Sequence, residues 1–480
     1  MTEPTTPAEW LPILAARMDN RHSTPANGEP SLDRLRRYAR GKVDLPEMGP
    51  NLRESWQAFQ KKSRTDYGGI AVRSLRNRIR PNGIRIGDGR DHPALEVARQ
   101  VWRNNRADVE VAEAIRDYLE LAVGYLLVEA DGEGGVLFRR QAPERFLAIP
   151  DPVTPWRARA ALKAWRDDVA GLDHVRVILP GVVQEFTRPS KKGNGQVYLN
   201  LGAVSQWTPS GDPVAHGGGT GVTILDRGED GAFLSPHLDP LDRIALGKLQ
   251  RLVIVAMQAF RQRALKPKDA ENGLPDEDDD GNTINWSAAF SPAPGALWEL
   301  PAGIDIWESQ TADVIPLLEA EKADARDFAA ASGTPISALI PDGQNQSAEG
   351  AANSKEQQIA QAKDDIVRIR PAIEGAVKHA VEAAGVALGD ADTIEVLFAP
   401  PEHVSLSERY AAAVQAKGAG LSARTIKRDI LGMTPDQIEQ DEADAGADML
   451  AAALMGAARP QAAPVAPQEA VTDGTDPVTA

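Results

Sequence analysis

The chain has 480 residues, of which 42% are hydrophobic and 25% are charged, and its formal net charge is −16. This composition is typical of a folded, water-soluble protein, and the length favours two or more packed units. The sequence contains no cysteine, which excludes disulfides, thiolate metal sites and cysteine nucleophiles.

The N-terminal region is predicted to be an arm followed by helices. Residues 1–30 are rich in Pro, Thr and Gly, which predicts a flexible arm with one short amphipathic segment around Trp10–Met18. Ser31 is a plausible N-cap, and apolar residues follow it at helical spacing. Two clear helices are expected at Pro93–Asn104 and Val109–Val123.

Strands are predicted next. Apolar runs at Gly124–Val128 and Gly135–Phe138 flank a glycine-rich turn, and this pattern predicts a β-hairpin. Further strands are expected at Ala160–Trp165, Val175–Leu179, Val183–Thr187 and Val197–Leu201. Residues 31–230 are therefore expected to form an α+β body.

A long helix, an inserted module and a second helix are predicted after residue 239. The apolar stripe from Leu241 to Ala259 predicts a helix that continues to the helix breaker Pro267. Residues 268–310 combine an acidic run with several prolines and three tryptophans, Trp286, Trp298 and Trp307. This mixture predicts a small separate module, and the second helix is expected around Ala312–Ala331.

The remaining elements are a loop, a third long helix and a helical C-terminal region. The polar residues Gln344, Asn345, Gln346 and Ser347 predict a loop. A helix is expected to start near Ser347 or Ser354, and Pro371 is expected to kink or divide it. A strand at Thr393–Phe398 precedes helices over 405–456, with Ser405 and Ser422 as caps. The Ala- and Pro-rich tail from Arg459 is expected to be disordered.

Motifs that carry chemistry are missing. The glycines of His216–Gly221 have no lysine to reach a phosphate, and the sequence has no Gly-x-Ser-x-Gly or His-Glu-x-x-His pattern. Asp276–Asp280 lacks the alternating spacing of a calcium loop, which favours a solvated acidic loop. The basic cluster of Arg73, Arg76, Arg78 and Arg80 could contact DNA, but ion pairing is the favoured use. We expect no enzymatic activity, no cofactor and no metal.

Membrane insertion and secretion are not expected. The most apolar run, Leu252–Met257, is closely bracketed by Arg251 and Arg261, so it is too short to cross a bilayer. The N-terminus lacks the pattern of a signal peptide.

A series of short motifs occurs in a fixed order along most of the chain. They are Leu32, Leu35, Tyr38 and Gly41 with Leu45-Pro46; Arg64–Tyr67; Trp102 with Asn105; Asp117 with Gly124–Val128; Ala142–Arg145; Asp151–Thr154; Ala161–Trp165; Gly333–Pro335; and Asn345–Glu349. In this order they resemble the portal proteins of siphophages, and most closely those of the group that infects actinobacteria. The chain departs from that family at Gly217–Gly219 and Leu234–Pro240, where a Pro-rich stretch is common.

The resemblance implies an α+β, mainly helical subunit with portal-type regions. These would be the arm 1–30, the wing 31–238, a stem helix 239–267, the clip 268–310, a stem helix 311–336, the tunnel loop 337–352, the long helix and wing return 353–403, the crown 404–458 and the tail 459–480. Gln344, Asn345, Gln346 and Ser347 would then contact DNA in the channel, or form an ordinary solvent-facing loop. Trp286, Trp298 and Trp307 would contact clip partners, or form the module's own core.

The resemblance also implies the partners. The subunit would join a homo-oligomeric ring, usually a dodecamer, at one vertex of the virion capsid, after assembly in the bacterial cytoplasm. It would contact double-stranded DNA, the major capsid protein, the terminase large subunit and a head–tail connector. The acidic net charge argues against tight DNA binding, yet it suits a wall along which DNA slides. The alternatives are another capsid or tail protein without a channel, or a packaging enzyme.

Overall fold

The computed structural model describes residues 4–23, 30–44, 53–87, 92–190, 199–259, 263–267, 277, 281, 283, 285, 304–308, 313–340, 348–389, 392–402 and 406–457. The chain divides into two compact units, Met1–His403 and Val404–Ala480. Helices and antiparallel sheets are both present, so the predicted mixed α+β class is confirmed.

Helices dominate the start of the first unit. They are α1 (Pro7–His22), α2 (Leu32–Tyr38), α3 (Arg53–Lys62), α4 (Tyr67–Arg76), α5 (Pro93–Asn105) and α6 (Ala107–Leu121). Ser31 caps α2, because its hydroxyl accepts a hydrogen bond from the Arg34 N–H. The predicted cap and the two predicted helices around residues 93 and 109 are confirmed.

The strands of the first unit form four antiparallel groups. Their bounds are β1 (Pro81–Ile86), β2 (Val123–Ala130), β3 (Val136–Gln141), β4 (Phe146–Pro150), β5 (Ala158–Asp167), β6 (Leu172–Leu179), β7 (Val182–Pro189), β8 (Thr208–Pro209), β9 (Val214–Ala215), β10 (Val222–Asp226), β11 (Arg263–Pro267), β12 (Ile304–Glu308) and β13 (Ile394–Phe398). The sheet orders are β1-β13, β10-β2-β3, β11-β12 and β4-β5-β6-β7-β8, with β9 also paired to β7. The predicted hairpin is β2–β3.

The main core surrounds one long helix. The later helices of this unit are α7 (Leu238–Ala259), α8 (Ile315–Ser332), α9 (Ile336–Leu339) and α10 (Ala348–Ala383). Helix α10 buries Ile366, Ile369 and Ile373 at spacings of three and four, so one face of it fills the core. The helix continues through Pro371. The expected division at this proline is wrong, because the turns on both sides of it are held in the same core.

The predicted flexible arm at 1–30 is wrong over Pro7–His22, which form helix α1. Trp10, Leu11 and Leu14 are buried against the six-stranded sheet. Thr6 and Glu9 form a reciprocal capping box, which satisfies backbone N–H groups at the start of the helix. The Pro- and Thr-rich composition that suggested mobility therefore provides a helix start instead.

Two predicted boundaries also differ from the structure. The long helix expected to reach Pro267 ends at Ala259, and Arg263–Pro267 form strand β11, which pairs with β12. The strand expected at Val197–Leu201 is not formed at 199–201, and 197–198 lie outside the described residues. Leu201 is nevertheless buried, and its backbone N–H donates to the Asp19 carboxylate of α1.

The second unit is helical, as predicted. It contains α11 (Leu406–Gly418), α12 (Ala423–Thr425), a single π-helical turn at Ile426–Ile430 and α13 (Pro435–Ala457). Ser422 caps α12 by accepting from the Thr425 N–H. The predicted cap Ser405 and the tail 459–480 lie outside the described residues.

Candidate functional site: the α7–α8 helix pair

Helices α7 and α8 pack side by side in opposite directions. Arg243 pairs with Asp324 at 2.9 Å, and Arg251, further along α7, pairs with Glu321, an earlier residue of α8, at 3.1 Å. Because the residue numbers rise on one helix as they fall on the other, the helices are antiparallel. The chain therefore leaves the core along α7 and returns to the same place along α8.

One half of this helix pair is buried in the main core. We call it the buried half, and it comprises residues 238–249 of α7 and 325–332 of α8. Leu241, Ile244 and Phe328 are at most 3% exposed. His237, just before α7, lies edge-on to the rings of Phe233 and Phe328, with centroids 6.1 and 5.9 Å away. Burial in this aromatic surrounding lowers the pKa of His237.

Polar contacts also fix the buried half to the body. The Tyr38 hydroxyl donates to the Asp242 carboxylate at 2.5 Å, and burial raises the pKa of Tyr38 to about 12. Lys248 donates to the Thr65 hydroxyl at 2.5 Å, lies 4.7 Å from the ring centroid of Tyr67 and pairs with Glu321 at 3.3 Å. These contacts restrain the direction of α7 where it leaves the core.

The other half of the helix pair has no buried residue among those whose burial is described. We call it the exposed half, and it comprises residues 250–259 of α7 and 315–324 of α8. Every residue described for burial there, 250–256 and 315–324, is exposed or half-buried. Val255, Ile315 and Leu318 are 48%, 64% and 39% exposed. Apolar side chains left open on neighbouring helices are typical of a surface that associates with a partner.

A pair of strands, which we call the hairpin, lies between the two helices of the pair in the chain. Strands β11 and β12 pair antiparallel, with Ala264 opposite Trp307. Trp307 is 54% exposed among the described residues. Trp286 and Trp298, the other two predicted partner contacts, lie outside the described residues.

The predicted loop residues Gln344, Asn345, Gln346 and Ser347 also lie outside the described residues. Their flanks are helical on both sides, because α9 covers Ile336–Leu339 and α10 begins at Ala348. The loop region predicted at 337–352 is thus shorter than expected. The alternative start of α10 at Ser354 is wrong, because the helix already includes 348–353.

Charged clusters elsewhere are internally paired. Arg73 pairs with Asp66 at 2.8 Å and Arg76 with Glu113 at 3.7 Å, which supports ion pairing for this part of the predicted basic cluster. A further cluster was not predicted: the buried Arg36 contacts the carboxylates of three buried residues, Asp117, Glu120 and Glu144. Its guanidinium holds together α2, α6 and the start of β4.

Metal and membrane features are missing from the part of the chain that the structure describes. Within it, no three His, Asp or Glu side chains are grouped so as to hold a metal ion. None of the helices described there is both long and apolar enough to span a bilayer.

Comparison with known proteins gives weak structural similarities. No protein-family model matches the sequence, and no curated protein matches it. The similar solved structures include the neck of the native GTA particle computed with C12 symmetry and the neck of the empty GTA particle computed with C6 symmetry. Each comparison has a TM-score of 0.41 and 14% identity, and covers 84% of this chain and 100% of the other. A similarity at this level carries no argument about function.

Proposed function

We propose that the chain is the portal subunit of a tailed bacterial virus, a non-enzymatic component of a ring through which double-stranded DNA enters and leaves the capsid. The observation that carries the proposal is the antiparallel helix pair, which leaves the core at a buried half and ends in a hairpin. This is the order of stem, clip and stem implied by the sequence resemblance.

The exposed half of the helix pair supports a ring. A closed head-to-tail ring requires two different association faces on each subunit. Val255 lies on α7 and Ile315 and Leu318 lie on α8, so apolar surface is available on both helices. In a ring, the surface of one subunit would be covered by its neighbour.

The proposal assigns roles to residues that the sequence singled out. Gln344, Asn345, Gln346 and Ser347 would contact the DNA backbone through uncharged hydrogen-bonding groups, which suits sliding without sequence readout. Trp307, with Trp286 and Trp298, would contact the terminase large subunit during filling and the head–tail connector afterwards. The body would contact the major capsid protein at one vertex of the virion.

A second class of function is a capsid or tail protein without a channel. Nothing in such a protein needs an antiparallel helix pair that extends from the core to a hairpin. A packaging enzyme is disfavoured, because it would need a phosphate loop and carboxylates grouped around metal ions.

The first test is the particle mass of the purified protein, by native mass spectrometry with negative-stain images. Twelve chains of 51.5 kDa give a ring of about 620 kDa, with a central hole, as the portal proposal expects. A sheet or a closed shell would overturn it in favour of a capsid protein.

A variant tests whether the exposed half forms the ring contact. Ile315 is the first residue of α8, where an aspartate is compatible with the helix dipole. We expect Ile315→Asp to leave the far-UV circular dichroism spectrum unchanged and to abolish the ring. The control is Val169→Asp, a fully exposed turn residue, which is expected to leave both unchanged. A ring that forms normally with Ile315→Asp would contradict the assignment of this surface.

A further inference from the structure

The first unit contains a cavity that the proposed function does not use. It has a volume of about 230 Å³ and lies where three distant segments meet. Ala158 of β5 and Pro180, between β6 and β7, form one wall, the turn at Gly219 and Thr220 forms the second, and α10 forms the third. A cavity of this size is small beside the pockets that hold drug-sized ligands.

The cavity is lined by basic side chains, although the whole chain is acidic. Arg157, Lys378 and His379 line it, with Glu382 as the one carboxylate. Lys378 and His379 share that carboxylate at 3.8 and 3.6 Å. Among the described residues, the Arg157 guanidinium has no ion pair or hydrogen bond. With a neutral His379, the two permanent cations and the carboxylate leave the lining with a net positive charge.

His379 adds to that positive charge when it is protonated. The His379 side chain is 18% exposed, and burial lowers its pKa, while Glu382 raises it and the charges of Arg157 and Lys378 lower it further. An anion in the cavity would oppose the last two effects, because it neutralises the cations that disfavour protonation.

The glycine turn leaves room for a ligand next to the backbone. At Gly219 a Cβ atom would meet nothing within 4 Å, so the main chain borders open space. The Thr220 hydroxyl donates to the Ala158 carbonyl at 2.8 Å, which fixes the turn against the sheet. A small ligand can therefore approach the turn on one side and the cations of Arg157 and α10 on the other.

We propose that this cavity binds a phosphate group, held by the cations of Arg157 and Lys378 beside the Gly219 turn. Planar guanidinium groups form bidentate hydrogen bonds to phosphate oxygens, and lysine provides a point charge. The inference is independent of the portal proposal, because it uses only the body of the first unit. Free phosphate and a nucleic acid backbone both present this group, and the experiment below distinguishes the two.

The test is isothermal titration of the full-length protein with inorganic phosphate at low ionic strength. We expect a single site with a Kd of about 1 mM or tighter, which is the range of a weak but specific small ligand. Arg157→Ala is expected to weaken binding about tenfold, because a hydrogen bond to a charged group contributes this much affinity. Glu382→Gln is expected to tighten binding, because it removes the competing carboxylate.

Lys355→Ala is the matched control. It removes one positive charge, as Arg157→Ala does, but at an exposed position of α10, 23 residues before Lys378 and so roughly 35 Å away along the helix. If it weakens binding as much as Arg157→Ala, or if wild-type protein shows no binding at about 10 mM phosphate, the proposal is overturned. A short DNA duplex that displaces phosphate in wild type but not in Arg157→Ala assigns the phosphate to DNA. A duplex that leaves binding unchanged assigns the site to free phosphate.

Discussion

The two halves of the α7–α8 helix pair are made of similar residues in different surroundings. In the buried half, Phe328 and Leu241 fill the main core, whereas in the exposed half Ile315 and Val255 face solvent. Both halves are rich in apolar side chains, so apolar content alone does not show which half the subunit itself buries. The difference in burial shows that the single chain stabilises one end of the helix pair and leaves the other end open for association.

The largest effect is expected in the buried half. Phe328 is fully buried, so Phe328→Ala removes a ring from the core and leaves a cavity that costs about 3–5 kcal/mol of the free energy of unfolding. Leu318→Ala on the same helix, 39% exposed, is expected to change it by about 0.5 kcal/mol or less. Urea unfolding followed by tryptophan fluorescence measures both. Equal losses would contradict the division of the helix pair into two halves.

A smaller effect is expected for the polar contacts of α7. Lys248 is 11% exposed at its side chain and contacts Thr65, Tyr67 and Glu321. Lys248→Met keeps the apolar stem but removes one of the positive charges that pair with the Glu321 carboxylate. We expect this change to lower the free energy of unfolding by about 2 kcal/mol.

Arg243→Met provides the comparison on the same helix. Arg243 is 55% exposed and pairs with Asp324, and such surface pairs contribute about 0–1 kcal/mol. A similar loss for both variants in urea unfolding would show that the contacts of Lys248 are no stronger than an ordinary surface ion pair.

Much of the fold could be predicted from the sequence because periodicity and capping act locally. The apolar stripe of α7, the hairpin β2–β3 and the caps Ser31 and Ser422 are examples. The amphipathic segment around Trp10–Met18 was predicted, but the full extent and the burial of α1 were missed, because Pro and Thr at 4–7 are equally typical of a loop and of a helix start. The end of α7 at Ala259 was missed because the pairing of β11 with β12 is non-local and overrides the helical pattern.

The functional site was only partly predictable. The insertion between two helices follows from the positions of the helices, but the antiparallel contact and its buried half depend on packing. The sequence indicates only weakly that Asp242 and Lys248 form fixed contacts. A charged residue near an apolar stripe often has a fixed partner. Nothing in the spacing of residues 157 and 378 shows that they line one cavity, because they are brought together only by the tertiary fold.

The pH dependence of stability tests the aromatic surrounding of His237 beside the buried half. Burial lowers its pKa in the folded state below the ordinary 6.5, so the unfolded chain takes up a proton first as the pH falls. The contribution to stability is therefore present above about pH 6.5 and is lost towards pH 5.

His237→Phe keeps the ring contacts and removes the titration. We expect this variant to lose less stability than wild type between pH 7 and pH 5. The remaining pH dependence would come in part from His22 and His379, whose pKa values burial also lowers. Parallel pH profiles for the variant and wild type, measured by thermal unfolding, would show that folding leaves the pKa of His237 unchanged, against the burial effect.

The smallest effect on folding is expected at the end of the exposed half. Trp307 is 54% exposed in β12, so Trp307→Ala is expected to change the free energy of unfolding by about 0.5 kcal/mol or less. If it contacts a partner, the same change weakens binding of the terminase large subunit or the connector by about tenfold or more, because exposed tryptophans often carry a large share of an interface's affinity.

Ile306→Ala is the control, since neighbouring residues of a strand point to opposite faces. Loss of soluble protein with Trp307→Ala would instead assign this tryptophan to the core of the inserted module, and equal binding losses for both variants would show that the hairpin acts through its fold rather than through the exposed ring.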